Sequence, residues 1–248
     1  MTPLASRLSP PGFFVTGTDT GVGKTLVTCA LLRAFAARGK RVVGMKPVAA
    51  GAVQDEGGLR NQDVEQILAA GNIAAPRRLV NPYCFEAPIA PHIAASAAGV
   101  SIDLAVIQES YAELACKADI MIVEGAGGFC VPLSAREDMA DLAQCLGLPV
   151  LLVVGMRLGC INHALLTAQA IRARGLRLAG WLANHIDPAL EQADANVAAL
   201  AQRLHAPLIA RIAFARDPDP RRVAAAMDVD QLLMQGFDSA AFNADNSR

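Results

Sequence analysis

A glycine-rich segment near the amino terminus has the residue types that bind phosphate. Residues 17–25 have the sequence GTDTGVGKT, with an apolar stretch before them and a helix-period stretch after them. Backbone N–H groups, a helix N-terminus, the ammonium of Lys24 and the hydroxyl of Thr25 are the components of a triphosphate site. Thr18 stands at the first glycine position of the strict GxxxxGK[ST] pattern. We predict that the chain binds a nucleoside triphosphate here.

Three other polar side chains follow apolar runs of strand length. Lys46, Glu124 and Asn184 each come directly after such a run. In an open parallel sheet, the ligand crevice lies outside the carboxyl ends of the strands. These side chains are therefore predicted to form one active-site rim together with the phosphate segment.

The charges at this rim indicate roles. Phosphoryl transfer depends on neutralising charge on oxygen atoms, and Lys46 would supply a second ammonium beside Lys24. Glu124 ends a buried strand and needs a cation there. Mg²⁺ is the natural partner, with Thr25 as a second oxygen ligand and Asp63 as a third. Local sequence leaves open that Lys46 is a solvated lysine, and that Asp63 is an ordinary acid in the first turn of a helix.

Strand-length apolar runs alternate with helix-period stretches along the chain, which is typical of an α/β protein with a parallel sheet. The predicted strands are 13–16, 41–45, 119–123, 150–154, 178–183 and 208–212. The predicted helices are 24–37, 61–70, 103–117, 139–146, 162–174 and 189–204.

Two segments interrupt this alternation. Residues 47–60 and 77–96 are long, irregular and rich in Gly, Pro and Ala, and loops of that length are usually functional or disordered. Nothing argues for a second domain, so we predict a single domain over residues 1–216. Residues 217–248 are predicted to be a partly flexible C-terminal tail with a short helix at 229–234.

Composition limits the classes of function. The 248 residues are 53% hydrophobic and 18% charged, with a formal net charge of −1. Disorder is excluded, and the basic excess of a nucleic-acid or membrane-surface binder is missing. No apolar run reaches the roughly 18 residues of a membrane span, and the first residues contain no export signal. Six scattered cysteines without a CxxC pair indicate reduced thiols, so we expect a cytoplasmic protein.

Seven segments, taken in chain order, resemble dethiobiotin synthetase: FFVTGTDTGVGKT, KPVAAG, GLRNQD, NPYCFEAPIAPH, VEGAGG, MRLGCINHALLTAQ and GWLAN. The resemblance covers residues 12–215. It implies a doubly wound, mostly parallel, P-loop NTPase-like α/β fold, and a homodimer. The implied reaction closes the ureido ring of dethiobiotin from 7,8-diaminopelargonic acid, CO₂ and ATP with Mg²⁺, through a carbamate and a carbamic-phosphoric anhydride.

The resemblance also implies roles for individual residues. Lys46 and Lys24 match catalytic lysines, and Thr25, Asp63 and Glu124 match the Mg²⁺ ligands. The residues matched to the nucleotide site are Thr20, Gly21, Val22, Gly23, Lys24, Thr25, Leu26, Asp63, Glu124, Gly125, Ala126, Gly127, Asn184, His185, Ala213, Phe214 and Ala215. The residues matched to substrate contacts are Ala50, Gly159, Cys160, Ile161 and Asn162. The last four begin a helix that, in the family, receives the substrate carboxylate across the dimer interface.

Some positions depart from the family pattern. Ala50 stands where Ser or Thr is common, and Asn196 stands where some members have a tyrosine. Ala213 is one of two alanines in place of the usual glycine and proline of the loop beside the adenine. These departures concern substrate and base affinity, and leave the reaction itself in place.

The main alternative is a P-loop switch ATPase of the partition type. Such proteins carry an additional lysine early in the phosphate loop, and residues 17–25 have none before Lys24. An amidation domain of the cobyrinate-synthase type would need a glutaminase domain, and a nucleotide kinase would need an arginine-rich lid. The sequence favours the synthetase over all three.

Overall fold

A six-stranded sheet lies at the centre of the computed structural model, which describes residues 11–236. In chain order the elements are β1 (Gly12–Gly17), α1 (Lys24–Ala37), β2 (Val42–Met45), β3 (Val48–Ala50), β4 (Val53–Asp55), β5 (Gly58–Arg60), α2 (Gln62–Ala70), α3 (Arg77–Val80), β6 (Tyr83–Phe85), α4 (Pro91–Ala97), α5 (Leu104–Ala115), β7 (Ile120–Glu124), α6 (Met139–Leu146), β8 (Val150–Met156), α7 (Cys160–Ala173), β9 (Leu178–His185), α8 (Ala193–Leu204), β10 (Leu208–Ile212), α9 (Pro220–Ala225) and α10 (Val229–Gly236).

The strand order across the sheet is β10-β9-β8-β1-β7-β2, and every neighbouring pair is parallel. The chain first builds from β1 toward β2 and β7, and then crosses to β8, so the order reverses beside β1. In open α/β sheets, ligands bind at such a switch point. The predicted α/β class with a parallel, doubly wound sheet is confirmed.

The apolar residues are concentrated in this sheet. Every residue of β1, β7 and β8 is buried, because these strands are covered on both faces. Phe13 of β1 stacks on Phe35 of α1 with ring centroids 6.2 Å apart, and burial of each ring contributes roughly 1.5–3 kcal/mol. This packing fixes α1 against the strand that precedes it. None of the helices in residues 11–236 has the length and apolar character needed to cross a membrane.

The predicted helices agree with the structure to different extents. Those at 24–37 and 139–146 have the predicted bounds, and Asp138 caps the second of them through its side chain. Helix α7 begins two residues earlier than predicted, at Cys160, and α8 begins four residues later, at Ala193.

The segments predicted to be irregular, 47–60 and 77–96, contain short paired elements. Strands β3 and β6 form a parallel two-stranded sheet, and β4 and β5 form an antiparallel hairpin. Helices α3 and α4 lie in the second segment. The prediction was wrong here because three-residue strands are too short to leave a periodic pattern, and β3 pairs with a strand far away in sequence.

The packed structure continues past the predicted domain boundary. Val223 of α9 and Leu232 of α10 are buried, and both helices pack against α1. Helices α9 and α10, which lie in the segment predicted to be a tail, therefore pack onto the central domain. Residues 237–248, which complete the predicted tail, and residues 1–10 lie outside the described part of the chain.

Candidate active site

The phosphate segment between β1 and α1 forms a tight loop that the end of β9 holds in place. Gly23 precedes the helix with a left-handed backbone, φ +92°, and a Cβ atom there would lie 2.3 Å from Nδ2 of Asn184. Only glycine fits such a position. The same Nδ2 donates a hydrogen bond of 2.8 Å to the carbonyl of Val22. Thr20 and Gly21 are exposed on the outer side of the loop.

Thr18, the departure from the strict phosphate-loop pattern, uses its side chain structurally. Its hydroxyl accepts a hydrogen bond of 3.3 Å from the N–H of Gly155. Its own N–H donates to the carbonyl of Val153 at 3.0 Å. A glycine would make only the second of these contacts, so the threonine adds a link between the loop and β8.

Lys24 lies buried at the foot of the loop. It is 7% exposed, and its ammonium donates a hydrogen bond of 2.9 Å to the main-chain carbonyl of Asp19. Burial lowers the pKa of Lys24 to about 8, with Glu124 opposing that shift and Lys46 adding to it. Among residues 11–236, no carboxylate forms an ion pair with Lys24. A buried cation beside a helix N-terminus is an arrangement that favours an anion.

Lys46 and Glu124 form a buried ion pair at neighbouring strand ends, since β2 pairs with β7. The ammonium of Lys46 is 2.6 Å from Oε1 of Glu124 and 2.6 Å from Oδ2 of Asp63. The hydroxyl of Thr25 donates to the same Oε1 at 2.8 Å. The structure thus brings together the second lysine and the three predicted Mg²⁺ ligands. We call these four residues the carboxylate cluster.

The carboxylate cluster keeps Lys46 charged in spite of its burial. Lys46 is 5% exposed and Glu124 is fully buried. Burial opposes the charge on Lys46, but the carboxylates of Glu124 and Asp63 outweigh it and raise the pKa of Lys46 above its ordinary value. Lys46 is therefore not a solvated lysine. Asp63 lies in the first turn of α2 and also pairs with Lys46, and its role as a Mg²⁺ ligand stays a prediction.

The donor atoms of the carboxylate cluster fit a magnesium ion. Oε2 of Glu124 is buried and has no hydrogen-bond partner, so this carboxylate has an unused position for a cation. Asp63 and Thr25 add oxygen atoms, which are the donors that Mg²⁺ prefers. Within residues 11–236, no three His, Cys, Asp or Glu side chains form a metal site by themselves. Phosphate and water oxygens would have to complete the coordination.

The loop after β7 borders the phosphate segment. Gly125 is packed against Phe14, and Gly127 has φ +67°. A Cβ atom added to Gly127 would lie 3.6 Å from the hydroxyl oxygen of Thr20. Gly127 therefore lies next to the phosphate loop, and the nucleotide contacts of Gly125, Ala126 and Gly127 stay a prediction.

The predicted adenine contacts lie at the ends of the neighbouring strands β9 and β10. Ala213, Phe214 and Ala215 line a cavity of about 450 Å³ between the end of β10 and α9. Phe214 is 44% exposed and presents an aromatic ring at the surface. Asn184 and His185 end β9 and do not line this cavity. The amide of Asn184 contacts the phosphate loop, so its reading of the base stays a prediction.

The predicted substrate segment begins α7. Gly159 precedes the helix with φ +91°, and Cys160 is buried in its first turn. Asn162 is exposed and Ile161 is half-buried. Leu158, just before the helix, is 91% exposed. The helix start therefore lies at the surface of the chain, and its contact with substrate stays a prediction.

Asp19 and Arg157 form an ion pair that joins the phosphate loop to the segment before α7. Asp19 also accepts a hydrogen bond of 2.7 Å from the N–H of Thr20. This backbone hydrogen bond, together with the Arg157 guanidinium, lowers the pKa of Asp19. Neither residue had a predicted role, because an aspartate and an arginine 138 positions apart leave no local signal.

Two asparagines without a predicted role also hold the site. Asn61 accepts a hydrogen bond of 3.1 Å from the N–H of Asp63 and donates one of 3.1 Å to the carbonyl of Ala50. Asn81 donates to the carbonyl of Lys46 at 2.7 Å. An asparagine just before a helix is a recognisable cap, so the role of Asn61 was detectable. Asn81 and its partner are 35 positions apart in sequence.

Comparison with known proteins gives a matching family model and close relatives. A family model described as an AAA domain matches residues 11–222. The ATP-dependent dethiobiotin synthetase BioD of Nitrosospira multiformis is 59% identical over 223 residues, which cover 90% of this chain and 97% of the relative. The protein of the same name from Aromatoleum aromaticum is 54% identical over 218 residues, covering 88% and 97%.

A solved structure shares the fold at much lower identity. It is a chain of the MinC:MinD cell division protein complex of Aquifex aeolicus, with a TM-score of 0.53 and 17% identity. The match covers 91% of this chain and 96% of that one. At this identity the likeness shows the fold alone.

Proposed function

The chain belongs to the family of ATP-dependent dethiobiotin synthetases, and we propose that its active site is the crevice at the carboxyl ends of β1, β2 and β7. The protein is a ligase of biotin biosynthesis that uses ATP with Mg²⁺. The observation that carries the site assignment is the contact of the Lys46 ammonium with both Asp63 and Glu124 at 2.6 Å. Thr25 links this cluster to the phosphate loop through Glu124.

The proposed reaction starts from 7,8-diaminopelargonic acid and CO₂. One amine bonds to the carbon of CO₂ and loses a proton, which gives a carbamate. A carbamate oxygen then bonds to the γ-phosphorus of ATP while the bond to the bridging oxygen breaks and ADP leaves. The second amine attacks the carbamate carbon and loses a proton, the bond from that carbon to the phosphate oxygen breaks, and the ureido ring closes.

The chain's own cations act where these steps concentrate negative charge. Lys24 and the N–H groups at the start of α1 would bind phosphate oxygens. Lys46 would stabilise the carbamate and the transferring phosphoryl group, because its charge is fixed in a water-poor site. Thr25, Asp63 and Glu124 would hold Mg²⁺, which when bound neutralises phosphate charge and orients the phosphates.

The base would lie against the end of β10. Ala213, Phe214 and Ala215 border a cavity there, and an exposed aromatic ring suits stacking on a nucleobase. Asn184 and His185 lie at the end of the neighbouring strand. Ala50 would face the substrate without a side-chain hydroxyl, and its carbonyl is bonded to Asn61.

We propose that the enzyme is a homodimer in which α7 of one subunit receives the carboxylate of the substrate bound to the other. The N-terminus of α7 is exposed, and free N–H groups there attract anions. Leu158, just before this helix, is 91% exposed, and Leu166, on the helix, is 56% exposed. Such exposure is expected for apolar residues that a second copy covers.

Mixed dimers test this arrangement. Lys46→Met and Asn162→Ala chains should each be inactive alone, and mixing them should restore activity because one of the two shared sites is then intact. Absence of recovery, with mixed dimers confirmed by mass spectrometry, would place the whole site within one chain.

A direct assay tests the proposed reaction. Purified protein with diaminopelargonic acid, bicarbonate, Mg²⁺ and ATP should form dethiobiotin and release phosphate in equal amounts. ATP hydrolysis that proceeds equally well without the diamine would instead favour the switch ATPase that the shared fold allows.

The cytoplasm is the proposed location of the enzyme. All six cysteines are free thiols, and reducing compartments maintain cysteines in that form. Labelling of cells that express a tagged chain should place it with cytoplasmic markers, and enrichment in an oxidising compartment would contradict the proposal.

A further inference from the structure

Asn81 makes two hydrogen bonds from one buried amide nitrogen. Its Nδ2 donates to the carbonyl of Lys46 at 2.7 Å and to the carbonyl of Tyr83 at 2.9 Å. Asn81 is 7% exposed and lies between α3 and β6, outside the sheet that carries the site. It belongs to the NPYCF segment of the sequence, for which the proposed reaction gives no role.

These bonds matter because Lys46 lies where the chain leaves the central sheet. Strand β2 ends at Met45, so the carbonyl of Lys46 has no strand partner there, and Pro47 has no N–H to donate. The N–H of Lys46 donates to the carbonyl of Val80 at 2.9 Å. Both main-chain polar groups of Lys46 are therefore bonded to the segment around Asn81.

We propose that Asn81 is a positioning residue for Lys46. With its main chain fixed at both polar groups, Lys46 directs its side chain to Glu124 and Asp63, 2.6 Å from each carboxylate. Loss of the amide leaves a buried carbonyl without a donor and frees the Lys46–Pro47 peptide to shift. The inference rests on the proposed role of Lys46 in the reaction, so its test includes a measurement that does not depend on activity.

Asn72 is a matched control at the opposite end of the same strand. Its Nδ2 donates to the carbonyl of Lys40 at 2.8 Å, and its Oδ1 accepts from the N–H of Val42 at 2.8 Å. Asn72→Ala therefore removes side-chain to main-chain bonds from Lys40 and Val42, at and just before the start of β2. It controls for general loosening of the strand.

The first test is kinetic. Asn81→Asp keeps the shape but replaces the donor with a carboxylate that faces two carbonyl oxygens. We expect kcat to fall by about 100-fold, as displacements of about 1 Å do in active sites, while KM for ATP changes little because the phosphate loop is untouched. Asn81→Ser keeps one short donor, so its kcat should lie between those of Asn81→Asp and the wild type. Asn72→Ala should have a near-normal kcat.

The second test asks whether Asn81 acts through Lys46. In a Lys46→Met background, Asn81→Asp should lower the remaining activity far less than it does in the wild type. An equal fall in both backgrounds would overturn the proposal, and so would a normal kcat for Asn81→Asp.

The third test measures the position of Lys46 directly. Brief acetylation followed by mass spectrometry should label Lys46 slowly in the wild type and in Asn72→Ala, and faster in Asn81→Asp or Asn81→Ser. Unchanged labelling of a folded Asn81→Ser chain would overturn the inference. If the chain makes no dethiobiotin but labelling changes as expected, the positioning role stands and the proposed function fails. The serine variant serves if the aspartate variant does not fold.

Discussion

Lys24 and Lys46 lie in the same crevice and are nearly equally buried, at 7% and 5% exposure, yet their pKa values are shifted in opposite directions. Burial lowers the pKa of Lys24 to about 8. Burial also opposes the charge on Lys46, but Glu124 and Asp63 raise its pKa. The difference lies in the partners, because Lys24 contacts a main-chain carbonyl and Lys46 contacts two carboxylates.

The opposite pKa shifts suggest different tasks for the two lysines in this crevice. The ammonium of Lys46 is held in position by ion pairs with two carboxylates of the chain. It therefore suits contact with a reacting group that occupies one fixed position. Lys24 contacts a main-chain carbonyl and no carboxylate balances its charge in the described part of the chain, so it suits the binding of phosphate. We therefore expect the same residue type to serve positioning at the end of β2 and ligand recognition at the start of α1.

The largest expected effect concerns the chemistry of Lys46. Lys46→Met keeps the side-chain volume and removes the charge, so turnover should fall by about 10³-fold or more. ATP binding, measured by calorimetry, should change little, because the phosphate loop and Lys24 remain. Lys117→Met, an exposed lysine, serves as control and should be fully active. Turnover within a few-fold of the wild type would remove Lys46 from the mechanism.

The next effect concerns stability. Lys46→Met leaves Glu124 buried without its cation, and breaking a buried pair in this way costs about 3–5 kcal/mol in the free energy of unfolding. Lys24→Met should cost much less, since burial already disfavours the charge on Lys24. Urea unfolding measures both.

A double variant checks the cause of that loss. Lys46→Met combined with Glu124→Gln should recover most of the stability, because no unpaired charge is then buried. Additive losses in the double variant would show that packing, and not the ion pair, is responsible.

A smaller effect concerns pH. A bound triphosphate favours charged Lys24 and so raises its pKa above 8. ATP affinity should therefore be full below pH 8 and should fall up to about tenfold for each pH unit above it. Calorimetry at several pH values measures this. In Lys24→Arg the affinity should be flat over the same range, since arginine stays charged. A flat profile in the wild type would contradict the assigned state of Lys24.

The smallest effect concerns an ion pair outside the crevice. Arg41 and Asp119 pair at 2.7 Å on the surface, and hydrogen bonds from Arg41 lower the pKa of Asp119 to about 2. Arg41→Ala should lower the melting temperature at pH 7 by no more than about 2 °C. The pair's contribution is present above pH 3.8 and lost as the pH falls toward 2. If Arg41→Ala lowered the melting temperature as much as Lys46→Met does, burial would not determine the strength of these two ion pairs.

The sequence was sufficient for those parts of the site that depend on local pattern. The phosphate loop, the carboxyl ends of β2 and β7, and α1 follow from a glycine-rich turn, apolar runs and helical periodicity. Asp63 was placed by its motif, and the structure brings it to Lys46.

Contacts between segments that are distant in the chain could not be predicted from the sequence. The bond from Asn81 to Lys46 and the pair of Arg157 with Asp19 join positions far apart in sequence. The same reason explains why β3 and β6 were missed. The packing of α9 and α10 was not predicted because their apolar residues are few, and because their burial depends on the presence of α1.

The most direct test of the two-lysine comparison is a titration of both ammonium groups by NMR, with Lys24→Arg and Lys46→Met used to assign the signals. In protein without nucleotide, Lys24 should titrate near pH 8 and Lys46 above the ordinary lysine value of 10.5. Addition of ATP should move the pKa of Lys24 upward. Similar pKa values for the two lysines, or a lower value for Lys46 than for Lys24, would contradict the account.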